Sequence, residues 1–232
     1  TKPEQSDLLF SLYGRHGESP IPVLAIASPS DAFGLTIEAA RIERSARAVV
    51  PANPLAGGGE KAIEEYERVL ALRESALGPD HVFVSETLQS LSIRKLLSGK
   101  RDEAEALASR AVTIIEKARG PGDLTLVRPL GSLATIHDAC SNPVRAQQAR
   151  ERILEIQEKN LGPEHPDIHG TLASLVISLG SGPSVAADRS AETHVRRFVG
   201  LSEKLFGPNS PEVAQALMPA GAFYASRPGQ ID

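Results

Sequence analysis

Apolar residues recur along residues 60–226 with the period of amphipathic helices, and glycine punctuates the periodic stretches. From Glu60 to Leu77 the apolar positions include Ile63, Tyr66, Val69, Leu70 and Leu77, a spacing that gathers them on one helical face. Gly78 then supplies a permissive backbone just past the helix end, and Pro79 prevents continuation. The next helix is predicted from about Val82 to Leu97, stopping at Gly99. Its partner runs from about Asp102 to Ala118 and stops at Gly120-Pro121. The pattern returns as 124–140 with 144–160, then as 167–179 with 185–206. A last helix, at 211–225, has no partner following it and reads as a cap or a cut point.

Four Gly-Pro pairs mark the period: Gly78-Pro79, Gly120-Pro121, Gly162-Pro163 and Gly207-Pro208, with spacings of 42, 42 and 45 residues. Ala62, Ala104, Ala146 and Ala191 keep this step. So do Glu74, Glu116, Glu158 and Glu203, and Leu88, Leu130, Leu172 and Leu217. The extra three residues fall in SLGSGPSVAAD, a loop rich in turn formers. Agreement over several independent positions identifies an internal repeat. The recurring alanines let neighbouring helices approach closely, and a larger side chain there costs about 1–3 kcal/mol by overpacking. No helix pair of this size hides its apolar face alone, so each unit leans on the next.

The stretch EYERVLALRESALGPDH followed by TLQSLSIRKLLSGKRDEAEALASRAV resembles the 42-residue tetratricopeptide repeats of kinesin light chains and their bacterial relatives. The resemblance covers residues 60–226. It implies an all-α, right-handed superhelical solenoid of antiparallel helix pairs, whose first helices line a concave groove that receives peptides. Helix 60–77 would then be the second helix of an incomplete pair. It would be followed by pairs 82–118, 124–160 and 167–206 and by the helix 211–225. The family's first helices carry Leu-Asn-Asn-Leu, whose amides hold a peptide backbone. Here the two middle positions are Gln89-Ser90, Gly131-Ser132, Ala173-Ser174 and Met218-Pro219, so the amide ladder is reduced to one glutamine. Pro129 and Pro219 fall inside first helices, where each removes a backbone bond and tends to kink or shorten the helix.

Residues 1–50 do not follow the register. Ile21–Ala27 reads as a short buried strand. SPSDAF offers an N-cap at Ser30 or Asp31, and LTIEAARIERSARAVV reads as a helix. Residues 1–42, with YGRHGE and then SPSD, resemble part of the α-subunit of 2-oxoacid:ferredoxin oxidoreductases. Those enzymes use thiamine diphosphate and an iron–sulfur cluster to convert a 2-oxoacid to an acyl-CoA. After Ile42 the likeness stops. The family's VIxLSDGYxANGxEPW is replaced by PANPLAGGG, a junction or linker at 51–59. The family's Gly-Pro-Ser-Thr stretch would lie before Thr1, its metal-and-diphosphate motif belongs to another subunit, and no cluster cysteines are present. The expectation is no catalytic residues, no cofactor and no oxidoreductase activity.

Composition narrows the picture further. Of 232 residues, 41% are hydrophobic but only 4% aromatic, with no Trp, so the core must be built from small and aliphatic side chains. A net charge of −4 argues against nucleic acid, which needs clustered Lys and Arg. No apolar run approaches the roughly 18–20 residues that span a bilayer. The lone Cys140 excludes an internal disulfide and fits a reducing, cytoplasmic setting. The sequence starts at Thr1 without a signal pattern and reads as a fragment or internal piece of a longer protein.

Other constellations read as structure. His165 and His169 have a spacing suited to zinc on a helix face, but no third ligand is indicated and no metal is expected. Arg15, His16 and Glu18 read as a solvated loop, and Cys140 as a small residue at a helix end. Arg94, Lys95, Lys100 and Arg101 read as a basic, solvated turn. Glu64–Arg68 is a favourable i,i+4 pair. The leading expectation is a protein-interaction scaffold that binds a peptide or protein through Gln89, Arg94, Arg128, Ser132, His137 and Ser174 on the groove. The competing expectation is a fragment or fusion product of the oxidoreductase subunit, not catalytic by itself.

Overall fold

The computed structural model describes residues 34, 36–38, 40–41, 59–181 and 189–225. The strand expected at Ile21–Ala27, the cap at Ser30 or Asp31, the Arg15–Glu18 stretch and residues 51–58 lie outside the described residues. Among those described, regular structure is helical: α1 (Gly59–Leu77), α2 (Val82–Leu97), α3 (Arg101–Arg119), a short 3₁₀ turn (Leu124–Leu126) leading into α4 (Val127–Ala139), α5 (Pro143–Leu161), α6 (Pro166–Ser181), α7 (Arg189–Phe206) and α8 (Pro211–Ala225). Residues 34, 36–38, 40 and 41 are also helical and precede α1.

Each helix packs on the next in the chain, and the units stack sideways. The turns explain the period. Gly78, Gly120, Gly162 and Gly207 adopt φ of +85° to +89°, a region that costs an L side chain strain but glycine little. Each glycine N–H closes the preceding helix on a glutamate carbonyl, from Gly78 to Glu74 (3.0 Å) to Gly207 to Glu203 (2.9 Å). Three residues after each glycine comes an N-cap for the next helix or turn. His81 Nδ1 accepts from Phe83 N at 3.2 Å, Asp123 Oδ1 from Thr125 N at 2.8 Å, His165 Nδ1 from Asp167 N at 3.2 Å and Ser210 Oγ from Val213 N at 3.2 Å. Four side chains of three types perform one task, satisfying amides that have no partner within their helix. His165 is therefore a cap, and His169 turns instead to Ser202 Oγ at 2.9 Å and the rings of Phe198 and Phe206.

The repeating alanines lie in the core: Ala104, Ala146 and Ala191 are fully buried and Ala62 nearly so. Arginines on successive second helices tie the stack along its outer layer. Arg110 pairs with Glu74 of the preceding second helix at 2.6 Å, and Arg152 with Glu116 and Arg197 with Glu158 repeat the pair in register. Arg110 and Arg152 also donate to the carbonyls of Pro79 and Pro121, at 2.9 and 3.3 Å. A second set of contacts joins each second helix to the next first helix. Arg73 donates to Thr87 Oγ1 (2.6 Å) and Phe83 O (3.0 Å), and Gln157, two units on, accepts from Thr171 Oγ1 (2.7 Å). The same positions in the unit between are Ile115 and Pro129, both buried, so a polar pair alternates with an apolar one.

Pro129 shortens its helix as expected but costs it no backbone bond. The α-helix starts at Val127, so Pro129 occupies its first turn, where the missing N–H costs no intrahelical bond. The residues ahead of it form the 3₁₀ turn, and α4 is shortened to 13 residues. Pro219 lies inside α8.

Candidate interaction surface on the first helices

Neighbouring first helices pack directly in two of the three steps, α2 on α4 and α6 on α8, whereas among the described residues no two second helices do so. Successive second helices are joined instead by side chains, through the Arg110–Glu74, Arg152–Glu116 and Arg197–Glu158 pairs. The first-helix side chains that do not pack on second helices are the candidates for an interaction surface.

The residues expected to bind a partner are distributed as follows. Gln89 is half-buried and its Nε2 donates to Ser85 O at 3.3 Å. Ser132 and Ser174 are half-buried and donate to carbonyls of their own helices, Arg128 O at 3.3 Å and Thr171 O at 2.8 Å. Arg94 is half-buried and Arg128 exposed. Serine hydroxyls already bonded to the backbone have less to offer a peptide than free amides would.

His137 does not belong with them. It is only 5% exposed, its Nδ1 lies 3.9 Å from Glu105, and Arg145 holds that carboxylate at 3.0 Å. Burial pushes its pKa below the usual histidine value, Glu105 opposes that and Arg145 reinforces it. The reason is rotational. Position 137 corresponds to Lys95 one unit earlier, and that position points at the second helix in both units. Lys95 is likewise buried, between Glu67 (2.6 Å) and Glu103 (2.8 Å), whose hydrogen bonds hold its ammonium pKa up. The basic turn expected around Arg94, Lys95, Lys100 and Arg101 thus loses Lys95 to an internal ion pair.

Sequence reasoning missed the apolar part of the surface. Ile177 on α6 is 55% exposed and Met218 on α8 is 73% exposed. Ile93 on α2 occupies the same repeat position as Ile177 and is half-buried. Gly131 leaves open space where a side chain would project. Exposed large apolar residues within a helical period carry the same sequence signature as core, so periodicity alone did not separate them. Cys140 ends α4 and packs against Ala104, Ala108 and Ile136. No group of three or more metal-ligating side chains occurs among the described residues, and no described helix is long and apolar enough to cross a membrane.

Comparison with known proteins agrees with this geometry. Residues 55–117 match the family model described as tetratricopeptide repeat. A solved Podosopora anserina structure of kinesin light chain nearly identical TPR-like repeats is similar at a TM-score of 0.64 with 19% identity, covering 87% of this chain and 89% of that one. The structure of BtubC (BKLC) from P. vanneervenii is similar at a TM-score of 0.53 with 16% identity, covering 87% and 85%.

The fold is a tetratricopeptide-like solenoid.

Two curated proteins match parts of the chain. One is the 2-oxoglutarate oxidoreductase subunit KorA of Mycobacterium tuberculosis, 62% identical over 42 residues, or 18% of this chain and 6% of that protein. The other is the clustered mitochondria protein homolog of Eremothecium gossypii, 29% identical over 105 residues, or 45% of this chain and 9% of that protein. The chain spans less than a tenth of either. The tetratricopeptide-like array carries the greater part of the described structure, and the oxidoreductase likeness is confined to a short segment ahead of it.

Proposed function

We propose that the chain is a protein-interaction module whose concave face receives a peptide or protein partner. The observation that carries this reading is the exposure of two large apolar side chains on first helices, Ile177 on α6 and Met218 on α8. Gln89, Arg94, Arg128, Ser132 and Ser174 supply the polar part, and His137 is left out because it is buried. Arg94 and Arg128 bring two cations to the first helices and Glu86, one repeat before Arg128, an acid, which suits a partner carrying charges of both signs beside apolar groups. The likeness to kinesin-light-chain repeats supports the same reading as fold-level analogy. The oxidoreductase-like segment covers too little of its relative for that enzyme's chemistry to be inferred, so the enzyme-fragment reading is not favoured.

The test uses Gly131→Arg and Ile177→Glu. Both sites are open, so neither change fills a core. Partner recovery on immobilised protein should fall for both, with thermal unfolding within a few degrees of the parent. Unchanged recovery for both variants would remove the concave face as the binding surface.

A further inference from the structure

Helix α1 is a second helix with no complete first helix of its own unit among the described residues. One of its positions is nevertheless covered: Val69 is 0% exposed. In the next unit the position of Val69 is Ala111, which clusters with Val84 and Leu88 of that unit's own first helix. Val69 is buried although no first helix of its own unit stands before it among the described residues.

The preceding helical residues make the connection. Arg68 stands 42 residues before Arg110, at the start of the series Arg68, Arg110, Arg152 and Arg197. The last three each hold a glutamate of the second helix before them. Among the described residues Arg68 has no such second helix before it, and its guanidinium holds Glu38 at 2.8 Å. The expected i,i+4 pairing with Glu64 gives way to this longer-range one. Along the leading helical residues, Thr36 is buried and Ala40 half-buried, whereas Ile37 and Arg41 are exposed. Thr36 and Ala40 lie one turn apart on one face, and both are small, as the contact positions between solenoid helices are. A solenoid end needs an element that covers its last apolar face while presenting polar groups outward.

We infer that the oxidoreductase-like segment around residues 34–41 is the N-terminal cap of the solenoid, covering the face of α1 and supplying the acid that starts the arginine–glutamate series. Its contribution to this chain is to close the array. This inference stands apart from the partner-binding reading and survives its failure.

Hydrogen exchange on the full chain tests it with two substitutions. Glu38→Pro breaks the leading helix, because proline in a helix interior removes a backbone bond and clashes with the preceding turn. Amides of α1 should then exchange on the order of tenfold faster, with α6 to α8 unchanged. Glu38→Ala removes only an exposed ion pair and should raise α1 exchange less than about threefold. Unchanged α1 exchange in Glu38→Pro would overturn the cap, and equal acceleration in α1 and α8 would contradict its local action. A charge swap guards the result: Arg68→Glu with Glu38→Arg should restore α1 protection lost in either single variant, and additive losses would overturn the pairing.

Discussion

Leu172 and Leu217 occupy the same repeat position, 45 residues apart, yet Leu172 is 1% and Leu217 52% exposed. Leu172 belongs to a cluster with Ile168, Leu175 and Val176 of its own helix and Val195 and Phe198 of α7, to which Leu154 of α5 and Phe223 of α8 also belong. Leu217 sits on α8, with no second helix of its own unit among the described residues, so the face that α7 covers in the preceding unit is open. Truncating each to alanine removes identical atoms from two surroundings. The buried change costs the transfer of those atoms plus a residual cavity, about 2–5 kcal/mol. The exposed change costs no more than about 0.5 kcal/mol, and alanine's helix propensity partly offsets it. With a urea dependence of about 1–3 kcal/mol per molar, Leu172→Ala should lower the midpoint by about 1 M or more and Leu217→Ala by a small fraction of that. Far-UV circular dichroism through a urea series reads both. Equal midpoint shifts, or a larger one for Leu217→Ala, would refute the claim that burial at this position comes from the unit's own second helix.

Two further outcomes follow from single positions. Ser141 adopts φ of +57° at the turn position that Gly99 occupies one unit earlier at +81°. Ser141→Gly should therefore raise stability by about 1 kcal/mol by relieving left-handed backbone strain, read as a higher thermal midpoint, and a lower midpoint would contradict it. Burial lowers the pKa of His137, and of His169, below the usual 6.5. The native state thus favours the neutral ring, and that stabilisation is fully present above about pH 6.5 and is lost as pH falls through the folded value. His137→Gln should flatten the decline of the urea midpoint between about pH 7 and 5, and an unchanged slope would show that His137 does not titrate in that way.

The helical solenoid was legible in the sequence because its determinants are local and repeated. A glycine at a helix end requires a particular φ, and an alanine at a close approach requires a particular volume, so both recur at a fixed step. The facing of individual polar residues was less legible. His137 reads as a surface residue from its type, but its direction depends on how α4 rolls against α3 and α5, which set Glu105 and Arg145 beside it. Lys95 was hidden for the same reason. Arg68 had an acid at the right helical spacing, Glu64, and took Glu38 instead, because only folding brings residues 30 apart together. Leu217 kept the register and lost the burial, since periodicity records a position and not the neighbour that covers it.

The units stack in one line, and each depends on those beside it. Leu88→Ala opens a site that is fully buried with Val84, Ala111 and Ile114, and native-state hydrogen exchange along the whole chain reads the consequence. The stacked array predicts faster exchange in α1 to α4, with α7 and α8 keeping the protection of the parent. Equal acceleration from α1 through α8, as in one globular core that opens as a whole, would contradict it.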